Sequence, residues 1–96
     1  MEKQLIIFKF PGVTSDQYDQ CWEELRNAGM EHPHGLIHHV GAQSGNDWVV
    51  ADVWESLEAF EKFGETLMPI VAKIGIPMVQ PEISAVHFEL FGVVEA

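Results

Sequence analysis

Trp48-Val49-Val50-Ala51-Asp52-Val53-Trp54-Glu55-Ser56-Leu57-Glu58-Ala59-Phe60 is the stretch on which the fold turns. Side chains alternate across a strand, so Val49, Ala51 and Val53 take one face and Trp48, Val50 and Trp54 the other. A strand over Asp47–Glu55 that is apolar on both faces is therefore predicted, and such a strand belongs in the middle of a sheet. Ser56 then offers an N-cap, and Leu57, Phe60, Phe63, Leu67, Val71 and Ile74 keep helical period. Pro69 interrupts that helix and predicts a kink or a break just before it. Gly75 and Pro77 end it.

Upstream, Leu36–Gln43 forms a second strand of the same hairpin around a turn near Ser44-Gly45-Asn46. Gly45-Asn46 is a favourable two-residue loop, with glycine supplying a positive φ. His32-Pro33-His34-Gly35 is a loop ahead of it. Before that, Thr14 and Gln17 have the spacing of a capping box, and Val13 and Tyr18 sit at hydrophobic-staple positions. Tyr18, Cys21, Trp22 and Leu25 make one helical stripe, opposite Asp16, Asp19, Gln20, Glu23, Glu24 and Asn27, with Gly29 as the C-terminal stop. Lys3–Phe10 is a β-rich run stopped by Pro11-Gly12, and Ile83–Leu90 is the last strand.

Strand, helix, two strands, helix, strand is the order of a ferredoxin-like βαββαβ sandwich, an α+β fold with a four-stranded antiparallel sheet. Strands 1 and 3 are apolar on both faces and belong in the centre. Strands 2 and 4 carry His38, His39, Ser84, His87 and Glu89 and belong at the edges. Right-handed crossovers put both helices on one face, which leaves the other face of the central strands apolar and uncovered. A second copy packing sheet on sheet would cover it, so a homodimer is expected.

The whole 96-residue chain is expected to form one domain. Hydrophobic residues make up 47%, generous for one small self-sufficient core, in keeping with a partner subunit. Fifteen acids against five bases give a formal charge of −10, and Lys3, Lys9, Arg26, Lys62 and Lys73 are scattered. Neither nucleic acid nor an anionic membrane surface is expected as a partner, since both need cationic patches. The apolar run Leu5–Phe8 is far shorter than a signal-peptide core of about 7–15 residues, and nothing approaches the roughly 20 apolar residues of a membrane span. A cytoplasmic protein is expected. Cys21, the single cysteine, reads as a buried inert thiol and allows neither an internal disulfide nor a cysteine-based zinc site.

The Trp48–Phe60 segment, and above all its Trp-Glu-Ser-x-x-Ala-Phe pattern where strand enters helix, resembles the third strand and second helix of dimeric α+β barrel proteins. Within them it is similar to the small stand-alone domains of the antibiotic-biosynthesis-monooxygenase-like (ABM-like) group. The resemblance implies a sheet-to-sheet dimer with one ligand pocket per subunit, between helices and sheet. Members include cofactor-independent oxygenases acting on aromatic or quinol substrates, and haem-degrading enzymes. In the latter, the pocket tryptophan matching Trp54 pairs with a first-strand asparagine and a second-helix histidine. Lys3–Phe10 holds no asparagine and Leu57–Ile74 no histidine, which argues against haem degradation by that route.

Asp52 is the oddest residue, a carboxylate in an apolar central strand where burial demands a hydrogen-bonding partner. Val50, Asp52 and Trp54 share a face. With Gly45-Asn46 as the two loop residues His39 lies directly across from Asp52, whereas an odd loop puts His38 there. An Asp52–His39 pair beside Trp54 is a candidate general base next to an aromatic platform. The alternative is a structural Asp52 held by His39, a Trp Nε1–H or backbone. Tyr18, Trp22, Phe60 and His87 are the other candidate ligand contacts, or plain core in the case of the aromatics. His32, His34, His38 and His39 invite a metal reading. His38 and His39 point to opposite faces and the other two lie in a loop, so neither a metal nor a cofactor is expected. Two functions compete. One is a cofactor-independent monooxygenase acting on a small aromatic ligand, with Asp52 or His39 removing a phenolic proton. The other is a non-catalytic ligand-binding or accessory dimer with a filled pocket. A cavity smaller than a benzene ring would sink the first.

Overall fold

A computed structural model describes residues 2–94. Its elements are β1 (Gln4–Pro11), α1 (Ser15–Asn27), β2 (Leu36–Ser44), β3 (Asp47–Trp54), α2 (Leu57–Ile74) and β4 (Glu82–Ala85). The strands form one antiparallel sheet in the order β2-β3-β1-β4, with the two doubly apolar strands in the centre as expected. Along β3 the burial alternates residue by residue: Trp48, Val50, Asp52 and Trp54 are buried under the helices, and Val49, Ala51 and Val53 are half-buried on the other face.

Both helices are held at their starts by the expected side chains. The Thr14 hydroxyl accepts from the Gln17 backbone N–H while the Gln17 side chain accepts from Thr14 N–H, closing a capping box. The Ser56 hydroxyl accepts from Ala59 N–H, and α2 ends at the left-handed Gly75. The helix does not break at Pro69 but continues through it to Ile74. Phe63 and Leu67 before the proline, and Val71 and Ile74 after it, belong to the same core. Burial on both sides offsets the roughly 3 kcal/mol that an interior proline costs. Ile6, Leu25 and Trp54, one each from β1, α1 and β3, are completely buried.

The last strand is half as long as expected: β4 stops at Ala85 and does not reach Leu90. Antiparallel pairing sets Ala85 opposite Gln4, the first residue of β1, so the ladder runs out of partner there. One more backbone bond, Val86 N–H to Lys3 O at 2.9 Å, closes it. The chain beyond crosses toward the opposite edge of the sheet as a strap. Glu89 pairs with Lys3 at 2.6 Å and with His38 of β2 at 3.3 Å, and the Phe91 ring lies 4.8 Å from that of His38. Phe88, Leu90, Phe91, Val93 and Val94 of the strap are exposed, as is Val40 on the open face of β2.

The hydrogen bond from Lys3, aided by its charge and by His38, holds the Glu89 carboxyl below its ordinary value of 4.5. A depressed carboxylate stabilises the folded arrangement above its unfolded pKa, and the contribution is lost as pH falls through the folded one. The strap should therefore release from His38 in a transition centred below pH 4.5, and Glu89→Gln should release it at neutral pH. NMR of the Phe91 ring protons reads both, and ring shifts unmoved by Glu89→Gln would refute the latch.

Candidate functional site

The hairpin β2–β3 turns through Gly45 and Asn46, with Ser44 opposite Asp47. Gly45 has φ +61° and no non-glycine residue described has a positive φ, the pattern of a type II′ turn. This even loop sets His39 directly opposite Asp52 on the helix-facing side, and sends His38 to the open face. A bulge at Ile37, where pairing steps from Leu36 to His38, is absorbed outside that pair.

Asp52 is only 5% exposed, and both its oxygens are occupied. His39 Nδ1–H donates to Oδ1 at 2.5 Å, and Trp54 Nε1–H donates to Oδ2 at 3.1 Å. A carboxylate only accepts, so it fixes the hydrogen of a neutral imidazole on Nδ1 and leaves Nε2 as an acceptor. Nε2 lies 2.5 Å from the hydroxyl of Tyr18, which donates to it from α1. The His39 ring is held from two sides, parallel to Tyr18 at 5.9 Å and edge-on to Trp22 at 5.0 Å. Burial pushes the Tyr18 phenol above its ordinary 10.0, opposed in part by the neighbouring Trp22 indole and reinforced by a smaller push from the Asp52 charge. Tyr18 is thus a neutral phenol at neutral pH, a donor to His39 with oxygen lone pairs to spare.

Tyr18, Trp22, His39, Asp52, Trp54 and Phe60 all line one cavity between the helices and the sheet, otherwise walled by apolar side chains. Its volume is about 70 Å³. A cavity that admits benzene measures about 150 Å³, so the chamber as it stands does not hold a ring. His87 takes no part: it follows the end of β4 and is exposed, because the strand it was expected to sit on stops two residues earlier. Asp52 does not present a free oxygen to the chamber; it acts on His39, and the group with spare lone pairs is the Tyr18 hydroxyl. Cys21 is a buried wall residue whose thiol burial pushes up to about 11, well out of reach of nucleophilic chemistry at neutral pH. Among the described residues no three His, Cys, Asp or Glu side chains group as metal ligands, and no helix is long and apolar enough to cross a membrane.

Sequence reasoning missed Gly41. It stands two residues beyond His39 on the same face of β2, and the end of the Tyr18 ring lies where its side chain would be. A Cβ there would sit 2.7 Å from both Cζ and the hydroxyl oxygen of Tyr18. A glycine on the buried face of a strand, beside a histidine, was the available signal for such a close approach.

The sequence matches no protein-family model and no curated protein. Structural likeness is extensive. A protein from Chloroflexus aurantiacus provisionally named an antibiotic biosynthesis monooxygenase is 12% identical, with a TM-score of 0.65 over 93% of this chain and 97% of its own. A dimeric ferredoxin-like protein from an uncultured marine organism is 14% identical, with a TM-score of 0.65 over 97% and 95%. SnoaB, a cofactor-independent oxygenase from Streptomyces nogalater, is 13% identical, with a TM-score of 0.62 over 95% and 97%. The chain therefore has the ferredoxin-like fold of these proteins over at least 93% of its length, and at these identities the likeness is one of fold.

Gly41→Ala should cost about 1–3 kcal/mol by overpacking and push the Tyr18 hydroxyl away from His39. Denaturant titration reads the first effect, and the His39 ring-nitrogen NMR shifts read the second. Wild-type shifts in the variant would mean that Gly41 does not set the position of Tyr18.

Proposed function

We propose that this chain binds a small hydroxyl-bearing aromatic molecule between its helices and its sheet, and that Tyr18, backed by His39 and Asp52, accepts the hydroxyl proton. One observation carries this reading: a hydrogen-bonded chain of three side chains ends at a phenol in the wall of an otherwise apolar cavity. Trp54 and His39 alone satisfy Asp52. The further link to Tyr18 is not needed to keep the carboxylate buried, and it brings an oxygen with free lone pairs to the chamber.

Bottom-up, the ligand O–H donates to the Tyr18 oxygen while the Tyr18 proton passes to His39 Nε2. The imidazolium so formed lies against Asp52, whose charge stabilises it. Trp54 and Phe60 offer ring faces to the ligand. The deprotonated ligand is electron-rich, and dioxygen is the oxidant that it reduces. Such a reaction needs no cofactor, in keeping with the description of SnoaB as a cofactor-independent oxygenase. At about 70 Å³ the chamber as it stands falls below the ring-sized limit set for an oxygenase, so turnover requires a wall side chain to move. The same small volume favours a second reading, in which Trp54, Trp22 and Phe60 fill the pocket and the chain is an accessory dimer that binds without turnover.

A homodimer belongs to both readings. Leu5, Ile7, Val49, Ala51 and Val53 are half-buried on the face away from the helices, and Val40 is 59% exposed beside them. A second copy laid sheet on sheet removes that apolar surface from water.

Wild-type protein supplied with a quinol should consume oxygen. Asp52→Asn keeps an acceptor for Trp54 but turns the His39 hydrogen to Nε2, so kcat should fall by about 10²–10⁴-fold with little change in KM. Equal rates would remove the relay from the mechanism, and no uptake by a protein that still binds phenol would favour the accessory reading. Sedimentation at micromolar concentration should give about twice the chain mass of 10.8 kDa, and a clean monomer would refute the dimer.

A further inference from the structure

Beside the inner chamber lies a second, larger hollow of about 270 Å³, open to solvent. The two share Phe8, Phe10, Phe60, Leu67 and Val71 as a common wall. Its outer side is Gly64 and Met68 of α2, and the loop Pro77–Pro81 between α2 and β4 covers it. We propose that this groove is the second compartment of the ligand site, and that it takes an uncharged apolar extension of the molecule whose hydroxyl meets Tyr18. The proposal rests on the binding reading above and names the class of ligand: a neutral phenol carrying an apolar arm.

Three observations support it. First, the chamber at Tyr18 is too small for a ring, so a ring whose hydroxyl reaches Tyr18 must displace part of the wall. The only aromatic side chains common to both hollows are those three phenylalanines. Phe8 stacks on Phe10 at 5.3 Å, and Phe60 meets Phe8 at 6.0 Å, so a turn of Phe60 or Phe8 joins the two spaces. Secondly, apart from Glu61 and Gln80 the groove is lined by apolar residues, among them the unbranched Met68 and Met78, which adapt to an irregular apolar guest. Thirdly, among the described residues the only charged one in its lining is Glu61, and no lysine or arginine lines it. An anionic arm would meet a like charge and find no partner, at a cost that a neutral arm avoids.

Gly64 makes the test clean. It lies mid-helix, and a Cβ there meets no heavy atom within 4 Å. Gly64→Leu thus projects a side chain into the groove while removing a poor helix former. Binding of para-cresol, para-propylphenol, para-pentylphenol and para-heptylphenol is read by quenching of Trp22, Trp48 and Trp54, which line the inner chamber. In the wild type, affinity should rise roughly fourfold per added methylene, the equivalent of about 0.8 kcal/mol for each one buried. Gly64→Leu should flatten that rise, and 5-(4-hydroxyphenyl)pentanoate, a phenol whose arm ends in a carboxylate, should bind at least about tenfold more weakly than para-pentylphenol. If para-cresol binds but affinity does not grow with the arm, or grows equally in Gly64→Leu, the second compartment is overturned and the binding reading stands. If Gly64→Leu converts a dimer to a monomer, the groove is an interface between copies and the proposal falls. If no phenol binds the wild type, both the compartment and the binding reading fall.

Discussion

Everything near the site depends on keeping one carboxylate under the helices. An ionised Asp52 without partners would be too costly to bury, whereas hydrogen bonds to a charged group return about 1.5–3 kcal/mol each. Asp52 has two such partners, and each belongs to a different part of the fold. Trp54 comes from the same strand, two residues on, so its indole N–H is fixed by the pleat. His39 comes from the neighbouring strand and is fixed by register. Through His39 the requirement extends to Tyr18 on α1, and through Tyr18 to the missing side chain at Gly41. A polar group that the core could have done without thereby ties helix, edge strand and central strand into one geometry.

The same constraint shapes what the cavity can do. A chamber of about 70 Å³ beside a neutral phenol is nearly full, and a larger groove lies beyond the phenylalanines. On the proposed binding reading, affinity includes the cost of turning an aromatic side chain, and selectivity comes from what can lie across both spaces. The polar end is narrow and specific. The apolar end is broad, adaptable and lined by no positive charge.

Much of this was legible from residues alone, for identifiable reasons. Strands 1 and 3 had to be central because they were apolar on both faces, and Asp52 drew notice because nothing else charged shared its setting. The opposition of His39 and Asp52 followed from counting two loop residues, a matter of parity rather than of energy. What was not legible needed three dimensions. The reach of Tyr18 from α1 to His39 depends on how close that helix lies to the sheet, which helical periodicity does not state. The early end of β4 follows from the start of β1 some eighty residues away, opposite which the ladder stops. Pro69 does not break α2, because burial on both sides of it, which local propensity does not weigh, holds the helix together.

Surface turns are ordinarily where a lineage can gain or lose residues without penalty. The turn at Gly45-Asn46 is exposed, yet its length is not free. One added residue would exchange the two faces of β2, moving His39 to the open side and bringing His38 and Val40 beneath the helices. Asp52 would be offered a different histidine at a different height, and Tyr18 would face a side chain where Gly41 now leaves space. Descendants of this sequence should therefore vary in length at the loops around the helices, while insertions in this hairpin should come in pairs or not at all.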